Sequence, residues 1–391
     1  MLNDVYYNPT KVIFGKDTES LVGSEIARYS KKVLLHYGSQ SAKKTGLIDR
    51  VLKSLHQAGV EAVELGGVQS NPRYALTQEG ARICREEDIG FILAVGGGSV
   101  IDSAKCIAFS AVNEGDIWQR FFINGEQHTK ALPLATILTI PGAGSESSTG
   151  CVITHDEAME KMASDSDILR PVFSILNPEI TYTVPAYHTA AGIADGIAHI
   201  FERYFTNTKA VDVTDRMCEG LIRSLMRYAP VVVSEPENYD ARSEIMWGCK
   251  IAHDNTVGIG REQDWGSHMI EHELSAKYDV SHGAGLSVIF PAWMQYVYKQ
   301  DIGRFIQFSM RVFDVEYRPD DPAWTIMQGI FRLKEFLKSI GMPVTLRELG
   351  IADKKHLDEM AKAAAEHSGG SVGSFVVLKE KDIREIFELA Y

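Results

Sequence analysis

The chain has 391 residues, 45% hydrophobic and 24% charged, with 40 basic against 52 acidic side chains and a formal charge of −12. At roughly 100–200 residues per domain, that length predicts about two domains, each able to bury its own core. The acidic balance argues against a nucleic-acid surface, which needs a basic face toward phosphate.

Cys84, Cys106, Cys151, Cys218 and Cys249 are far apart and form no C-x-x-C pair. They argue against a disulfide framework or a cysteine zinc knuckle and fit a reducing, cytoplasmic setting. The opening stretch to Gly15 lacks the basic and apolar regions of a signal peptide. No run approaches the roughly 18 apolar residues of a membrane span. A soluble, cytoplasmic, globular protein is expected.

In chain order, Lys31 to Tyr37 reads as a buried strand and Ile48 to Gly59 as an amphipathic helix ending in glycine. Glu61 to Leu65 is a second strand, followed by a helix from Tyr74 to about Glu87. Phe91 to Val95 is a third strand running directly into Gly96-Gly97-Gly98 and a helix from Val100; further strands are predicted at Leu134 to Ile140 and Val172 to Leu176. Alternating strands and helices imply a parallel sheet, and bare apolar runs suit strands covered on both faces. Beyond Pro185 the pattern turns helical: Thr189 to Tyr204, Thr214 to Arg227, Ala241 to His253, Gly266 to Tyr278, Trp324 to Ile340 and Lys354 to His367. The expected division is an α/β domain over 1–180 and an all-α domain over 181–391.

Three strand exits carry small polar residues where open α/β sheets bind ligands. Gly96-Gly97-Gly98-Ser99 precedes a helix, so bare backbone and free N–H groups can face an anion, with Asp102 close by. The competing reading is a tight turn that needs glycine for positive φ. Gly38-Ser39-Gln40-Ser41 offers hydroxyls and an amide but no carboxylate for a ribose diol; taken alone it is more simply a polar loop. Thr139 to Ser148, which includes Ser145, closes a third strand.

Histidine is unevenly spread. His253, His268, His272 and His282 lie within 30 residues of a chain that holds 12 histidines in all. His268 and His272 are four apart on a predicted helix and share a face, as do Asp195 and His199 upstream. One carboxylate with several imidazoles makes a mixed N/O site suited to Fe²⁺ or Zn²⁺. Any one of these histidines alone is more simply a hydrogen-bonded structural residue; paired ligand types on separate helices favour a metal. His36, His56, His128, His356 and His367 and the cysteines read as structural, while His155 and His188, near the expected cleft, are left open.

These residues resemble the iron-containing, or group III, alcohol dehydrogenases, closest to the butanol dehydrogenase and broad aldehyde reductase branch. The matching segments span nearly the whole chain: FGKDT (14–18), YGSQSAKKTG (37–46), SNPR (70–73), AVGGGSVIDSAK (94–105), TIPGAGSESS (139–148), GIADGIAHIFERY (192–204) and GSHMIEHELSAKYDVSHGAGLSVIFPAW (266–293). The resemblance implies the dehydroquinate synthase-like fold, a dinucleotide-binding α/β domain followed by a helical domain, with metal and nicotinamide in the cleft between them.

It carries the metal ligands onto Asp195, His199, His268 and His282, and puts His272 near the metal without making it a ligand. It carries cofactor contacts onto Gly38, Ser39, Ser41, Asn71, Gly97, Gly98, Ser99, Asp102, Thr139, Ser145, Ser148 and Lys161. Where many members have Asp-Pro this chain has Asn177-Pro178, and where YGGGS is common it has YGSQS.

The implied reaction is reversible hydride transfer between NAD(P)(H) and a small primary alcohol or aldehyde such as butanol or butanal. The metal acts as Lewis acid and His272, or a water beside it, as proton relay. NADP(H) is expected over NAD(H), because no carboxylate at Gly38 to Ser41 would repel a 2′-phosphate, and Lys43 or Lys44 adds charge at the rim. A homodimer is expected, with no nucleic-acid or membrane partner. The rivals are a dehydroquinate synthase-like lyase, a glycerol dehydrogenase-like polyol oxidoreductase and a non-catalytic metal-storing or nucleotide-sensing module.

Overall fold

Apolar runs with no alternation become strands that have no solvated face. In chain order the first part of the molecule is β1 (Lys11–Phe14), α1 (Val22–Ile26), β2 (Lys32–Gly38), α2 (Ser41–Lys44), α3 (Leu47–Gln57), β3 (Glu61–Val68), α4 (Tyr74–Glu86), β4 (Ile92–Gly96), α5 (Gly98–Ser110), β5 (Leu134–Leu138), β6 (Gly150–Thr154), β7 (Lys161–Asp165) and β8 (Phe173–Leu176). This computed structural model describes residues 1–38, 41–157 and 160–391. Six strands form one sheet in the order β1-β8-β5-β4-β2-β3, every neighbouring pair parallel. All five residues of β4 and of β5 are buried, as central strands of a doubly covered sheet require.

The strand order sets where a ligand can bind. From β2 the chain moves outward to β3, crosses back to place β4 on the other side of β2, and then continues outward through β5 and β8. The direction reverses between β2 and β4, and crevices at the carboxyl ends of such strands are the binding places of open α/β sheets. Gly38 ends β2 and Gly96 ends β4, so two of the glycine-bearing exits flank that point.

The sequence pattern left out β1 and the antiparallel β6–β7 hairpin. None of them is the fully buried apolar run that marks β4, β5 and β8.

The chain divides into two compact units, Tyr7–Val184 and the pairing of Met1–Tyr6 with Pro185–Tyr391. The first six residues belong with the helices: the Met1 amine donates to Lys209 O at 2.7 Å, and the Leu2 N–H to Gly260 O at 2.7 Å. The helical unit contains α6 (Ala186–Tyr204), α7 (Asp212–Ser234), α8 (Tyr239–His253), α9 (Gly266–Tyr278), α10 (His282–Val297), α11 (Ile302–Phe313), α12 (Pro322–Ser339), α13 (Leu357–His367) and α14 (Glu380–Ala390). α6 is its axis and packs against α7, α8 and α10, while α10 also packs against α9, α12 and α14.

The α6–α10 crossing depends on Gly283, where a Cβ would lie 1.9 Å from Ala191 O. α10 escaped the sequence reading because it is apolar all round, the mark of a buried helix, and carries Pro291 inside. α7 likewise runs seven residues past the expected Arg227, through Pro230. Among the described residues no helix is long and apolar enough to cross a membrane.

His36 shows how the sheet is tied to its covering helix. It lies inside β2, wholly buried; Nδ1 donates to Leu65 O at 2.9 Å and Nε2 accepts from Ser103 Oγ of α5 at 2.8 Å. A carbonyl can only accept, so the ring is neutral with its proton on Nδ1. Burial pulls its pKa from 6.5 down to about 4. The stability this neutral ring contributes is therefore complete above pH 6.5 and lost as pH falls toward 4, where the unfolded chain takes up a proton the folded one refuses. Urea melts should show about 3 kcal/mol lost over that interval beyond the carboxylate contribution. His36→Asn should flatten this part of the profile, and equal slopes in the two proteins would refute the assignment.

Candidate active site

Two separate groups of candidate residues take shape, one in each unit. In the α/β unit, Gly97 is the N-cap of α5 with φ −86°, and none of Gly96, Gly97 and Gly98 adopts positive φ. The tight-turn reading of the triplet is thus replaced by close approach. A Cβ on Gly98 would lie 2.7 Å from Ala143 Cβ, and one on Gly97 3.2 Å from Ile140 Cβ. The Gly98 and Ser99 N–H groups stand in the first turn, where a helix supplies no acceptor, and none is found among the described residues. A bare backbone cradle with unspent donors at a helix N-terminus fits a diphosphate.

Asp102 and Lys105, three apart on α5, bind the loop that faces this cradle. Asp102 Oδ1 accepts from Ser145 Oγ at 2.5 Å and Oδ2 from the Val152 N–H at 3.0 Å. Lys105 Nζ donates to Ser148 O at 3.0 Å and Gly150 O at 2.8 Å. Burial pushes the Asp102 carboxyl up and pulls the Lys105 ammonium down to about 8, and each partner's charge opposes the other's shift. Asp102 therefore holds the loop through both carboxylate oxygens, with Ser145 on one of them.

Ser148 and Lys161 are buried and Thr139 half-buried, its N–H on Gly96 O at 3.0 Å. Among the described residues, no carboxylate pairs with the Lys161 ammonium. Asn71 is buried at φ 53° and Ser41 is exposed at the start of α2. Ser39 lies outside the described residues. Lys43, expected at the cofactor rim, is instead 3.3 Å from Glu64 Oε2 and lies over the Tyr37 ring at 5.0 Å. The departure at Asn177 has a local reason: its Nδ2 donates to the buried Glu19 carboxylate at 2.8 Å, a bond that an aspartate could not make.

In the helical unit, Asp195 and His199 on α6, His268 and His272 on α9 and His282 opening α10 converge. Ligand atoms of Asp195, His268 and His282 lie within 4.8 Å of one another. His199 stands beside them, its Nδ1 3.5 Å from Asp195 Oδ1 and its ring 4.8 Å from that of His268. Burial and the neighbouring histidines hold the His199 pKa well below its ordinary value, so its ring is neutral, as a metal ligand must be. His199 Nδ1 and His268 Nε2 are buried without a hydrogen bond. Donor type, neutrality and orphaned nitrogens together fit a divalent ion. The His272 ring is buried 5.4 Å from that of His282, and Glu271, His272 and His282 also present ligand atoms within 4.8 Å.

Sequence reasoning missed Glu202, Glu271 and Trp265. Glu202 accepts from His268 Nδ1 at 2.5 Å, and Glu271 pairs with His282 Nδ1. The Trp265 ring lies 5.1 Å from that of His268 and 6.0 Å from that of His199, and His253 stacks on His199 at 4.0 Å. The available signal was an acidic residue three positions past each of two ligand-type histidines, inside otherwise apolar helices.

Two family models cover most of the chain: iron-containing alcohol dehydrogenase over residues 9–178 and the C-terminal domain of the Fe-containing alcohol dehydrogenase family over 189–391. The sequence is 38% identical to NADH-dependent butanol dehydrogenase A of Clostridium acetobutylicum, covering 100% of both chains. It is 34% identical to an NADPH-dependent aldehyde reductase of Escherichia coli, again over 100% of both. The crystal structure of NADH-dependent butanol dehydrogenase A from Thermotoga maritima superposes with a TM-score of 0.95 at 39% identity, covering 100% of this chain and 99% of that one.

Asp102→Ala frees Ser145 and leaves the Val152 N–H without its acceptor, at a cost of about 1–3 kcal/mol in stability. Dinucleotide affinity, read by fluorescence titration, should fall about tenfold or more once the loop is released. Cobalt binding to the same protein should not change. Wild-type dinucleotide affinity in the folded variant would remove this loop from the site.

Proposed function

The chain belongs to the iron-containing alcohol dehydrogenases and is an NAD(P)-dependent alcohol dehydrogenase and aldehyde reductase; from that premise we propose how its own residues carry the reaction. The observation that supports the reading most strongly is the meeting of buried Asp195, His199 and His268 with half-buried His282, two imidazole nitrogens among them left without a hydrogen bond. In this proposal those four side chains hold the ion, and the Gly97–Ser99 cradle, Thr139, Ser145, Ser148, Lys161, Asn71 and the Gly38–Ser41 turn hold the dinucleotide. When bound, the ion supplies a Lewis acid for the carbonyl oxygen and the dinucleotide a hydride donor or acceptor.

The chain's task is then to orient and to move one proton. An imidazole ligates only through a neutral ring, so Asp195 would be the one anionic ligand, and the set would keep net positive charge on a divalent ion where alkoxide charge would develop. His272, one helical turn from His268, is the proposed relay delivering the proton to that alkoxide during aldehyde reduction and accepting it in the reverse direction.

The preferred substrates are small uncharged aldehydes and alcohols of the butanal and butanol type. Arg203, the buried cation beside His199, donates Nη1 to His199 O and stacks on Trp265. A phosphorylated, carboxylated substrate of the lyase kind would need such cations free. The native ion is proposed as Fe²⁺, with Zn²⁺ a competitor of similar ligand taste. The assembly is proposed as a homodimer.

His268→Ala and His282→Ala should each lower metal occupancy and abolish most butanal reduction, while far-UV circular dichroism stays that of the parent. Metal analysis after chelation and reloading is the check, and full occupancy with full activity in either variant would refute the ligand set.

For the cofactor, the absence of a carboxylate at Gly38 to Ser41 supports NADP(H) by a modest margin, with Lys44 left as the rim charge while Lys43 is paired to Glu64. Each exposed contact is worth about 1 kcal/mol or less, so kcat/KM for NADPH should exceed that for NADH by roughly fivefold. Ser39→Asp should reverse the order, because a carboxylate repels a 2′-phosphate and accepts from a diol. Steady-state kinetics with NADH favoured in the parent and unmoved in the variant would defeat this assignment and leave the dehydrogenase intact.

A further inference from the structure

We propose that Glu202 and Glu271 are positioning residues of the metal centre, each gripping one histidine through Nδ1 so that the Nε2 side of the ring is turned toward the ion. This rests on the reading of Asp195, His199, His268 and His282 as the ligands, and adds two carboxylates that touch no substrate.

Both side chains are 0% exposed. Glu202 Oε1 meets His268 Nδ1 at 2.5 Å, and Glu271 Oε2 meets His282 Nδ1. A carboxylate oxygen accepts, so Nδ1 of each ring is the donor, and a ring that ligates a metal then does so through the Nε2 lone pair. The geometry agrees on the far side of each ring. His268 Nε2 is buried without a hydrogen bond, and His282 Nε2 lies 3.9 Å from Asp195 Oδ1. A carboxylate behind a ligating imidazole also raises the basicity of the ring and fixes its tilt.

The surrounding chain is shaped around these two groups. Ser275 Oγ donates to Glu271 Oε1 at 2.5 Å, and α10 leaves a hollow for the carboxylate: a Cβ on Gly285 would lie 2.3 Å from Glu271 Oε1 and 2.7 Å from its Cγ. Glu202 comes from the same helix as Asp195 and His199, so α6 would supply two ligands and the orientation of a third. It also accepts from the Trp265 N–H at 2.7 Å and the His268 N–H at 3.2 Å, binding the start of α9, where Trp265 sits at φ 62°. Removing Glu202 would therefore loosen a helix as well as a histidine. Glu271 binds the side chains of Ser275 and His282, and is the cleaner position to test.

The experiment strips the purified protein with chelator and titrates it with Co²⁺ alone, reading affinity and the d–d spectrum; folding is followed by circular dichroism. Glu271→Ala should weaken Co²⁺ binding about tenfold to hundredfold and alter the spectrum. Glu271→Gln, whose amide oxygen still accepts from Nδ1–H, should recover most of both. Wild-type affinity and spectrum in folded Glu271→Ala would overturn the proposal while leaving the ligand set standing. His282→Ala, run alongside, tests that set separately: unchanged Co²⁺ binding there would overturn both.

Should Glu271→Ala not fold, Gly285→Ala takes its place. It keeps every ligand, the three atoms nearest the added Cβ all belong to Glu271, and it should also lose affinity; no loss would count against the proposal. Independently, ¹⁵N-histidine spectra of the metal-free parent should show His268 and His282 as Nδ1–H tautomers, and Nε2–H at either one would refute it.

Discussion

An apolar helical bundle accepts a buried carboxylate only where hydrogen bonds or a counter-charge meet its lone pairs, and this constraint organises the helical unit. Asp195, Glu202 and Glu271 all lie inside it, beside imidazoles of which burial holds His199 neutral. Glu202 and Glu271 are met by N–H and O–H groups drawn from α9 and α10. The arrangement turns three helices toward one point and concentrates negative charge there. A divalent cation would answer that charge.

The same device recurs, with a different product, in the α/β unit. There α5 carries a buried acid and a buried base three residues apart, and spends both on the loop from Ser145 to Val152. The loop is thereby held against the helix whose first turn offers free N–H groups. His36 joins β2 to that helix through Ser103. The glycine turn at the start of that helix is thus fixed from below by the sheet and from the side by two charges, and glycine is needed there for closeness rather than for an unusual φ.

This arrangement explains how membership of a metal-dependent dehydrogenase family is compatible with so apolar a ligand neighbourhood. The carboxylates and imidazoles converge inside the helical unit, and the Arg203 cation beside them is committed to the protein itself, to His199 O and Trp265.

Much of this was legible in the sequence because it is local. Period and run length located β2 to β5, β8 and most helices; Gly266 to Tyr278 matched to the residue. The four-residue spacing put Asp195 with His199 and His268 with His272 on shared faces, since 3.6 residues make a turn whatever the surroundings. What only the tertiary structure decided was which faces meet. Spacing could not say that His282 would join Asp195, because that depends on α10 approaching α6 where Gly283 has no Cβ. Nor could it assign partners to Glu202 and Glu271, which lie 66 and 11 residues from the histidines they meet. A helix encodes its own periodicity in neighbouring residues, whereas the partner of a buried charge is set by the crossing of backbones, which no single segment contains.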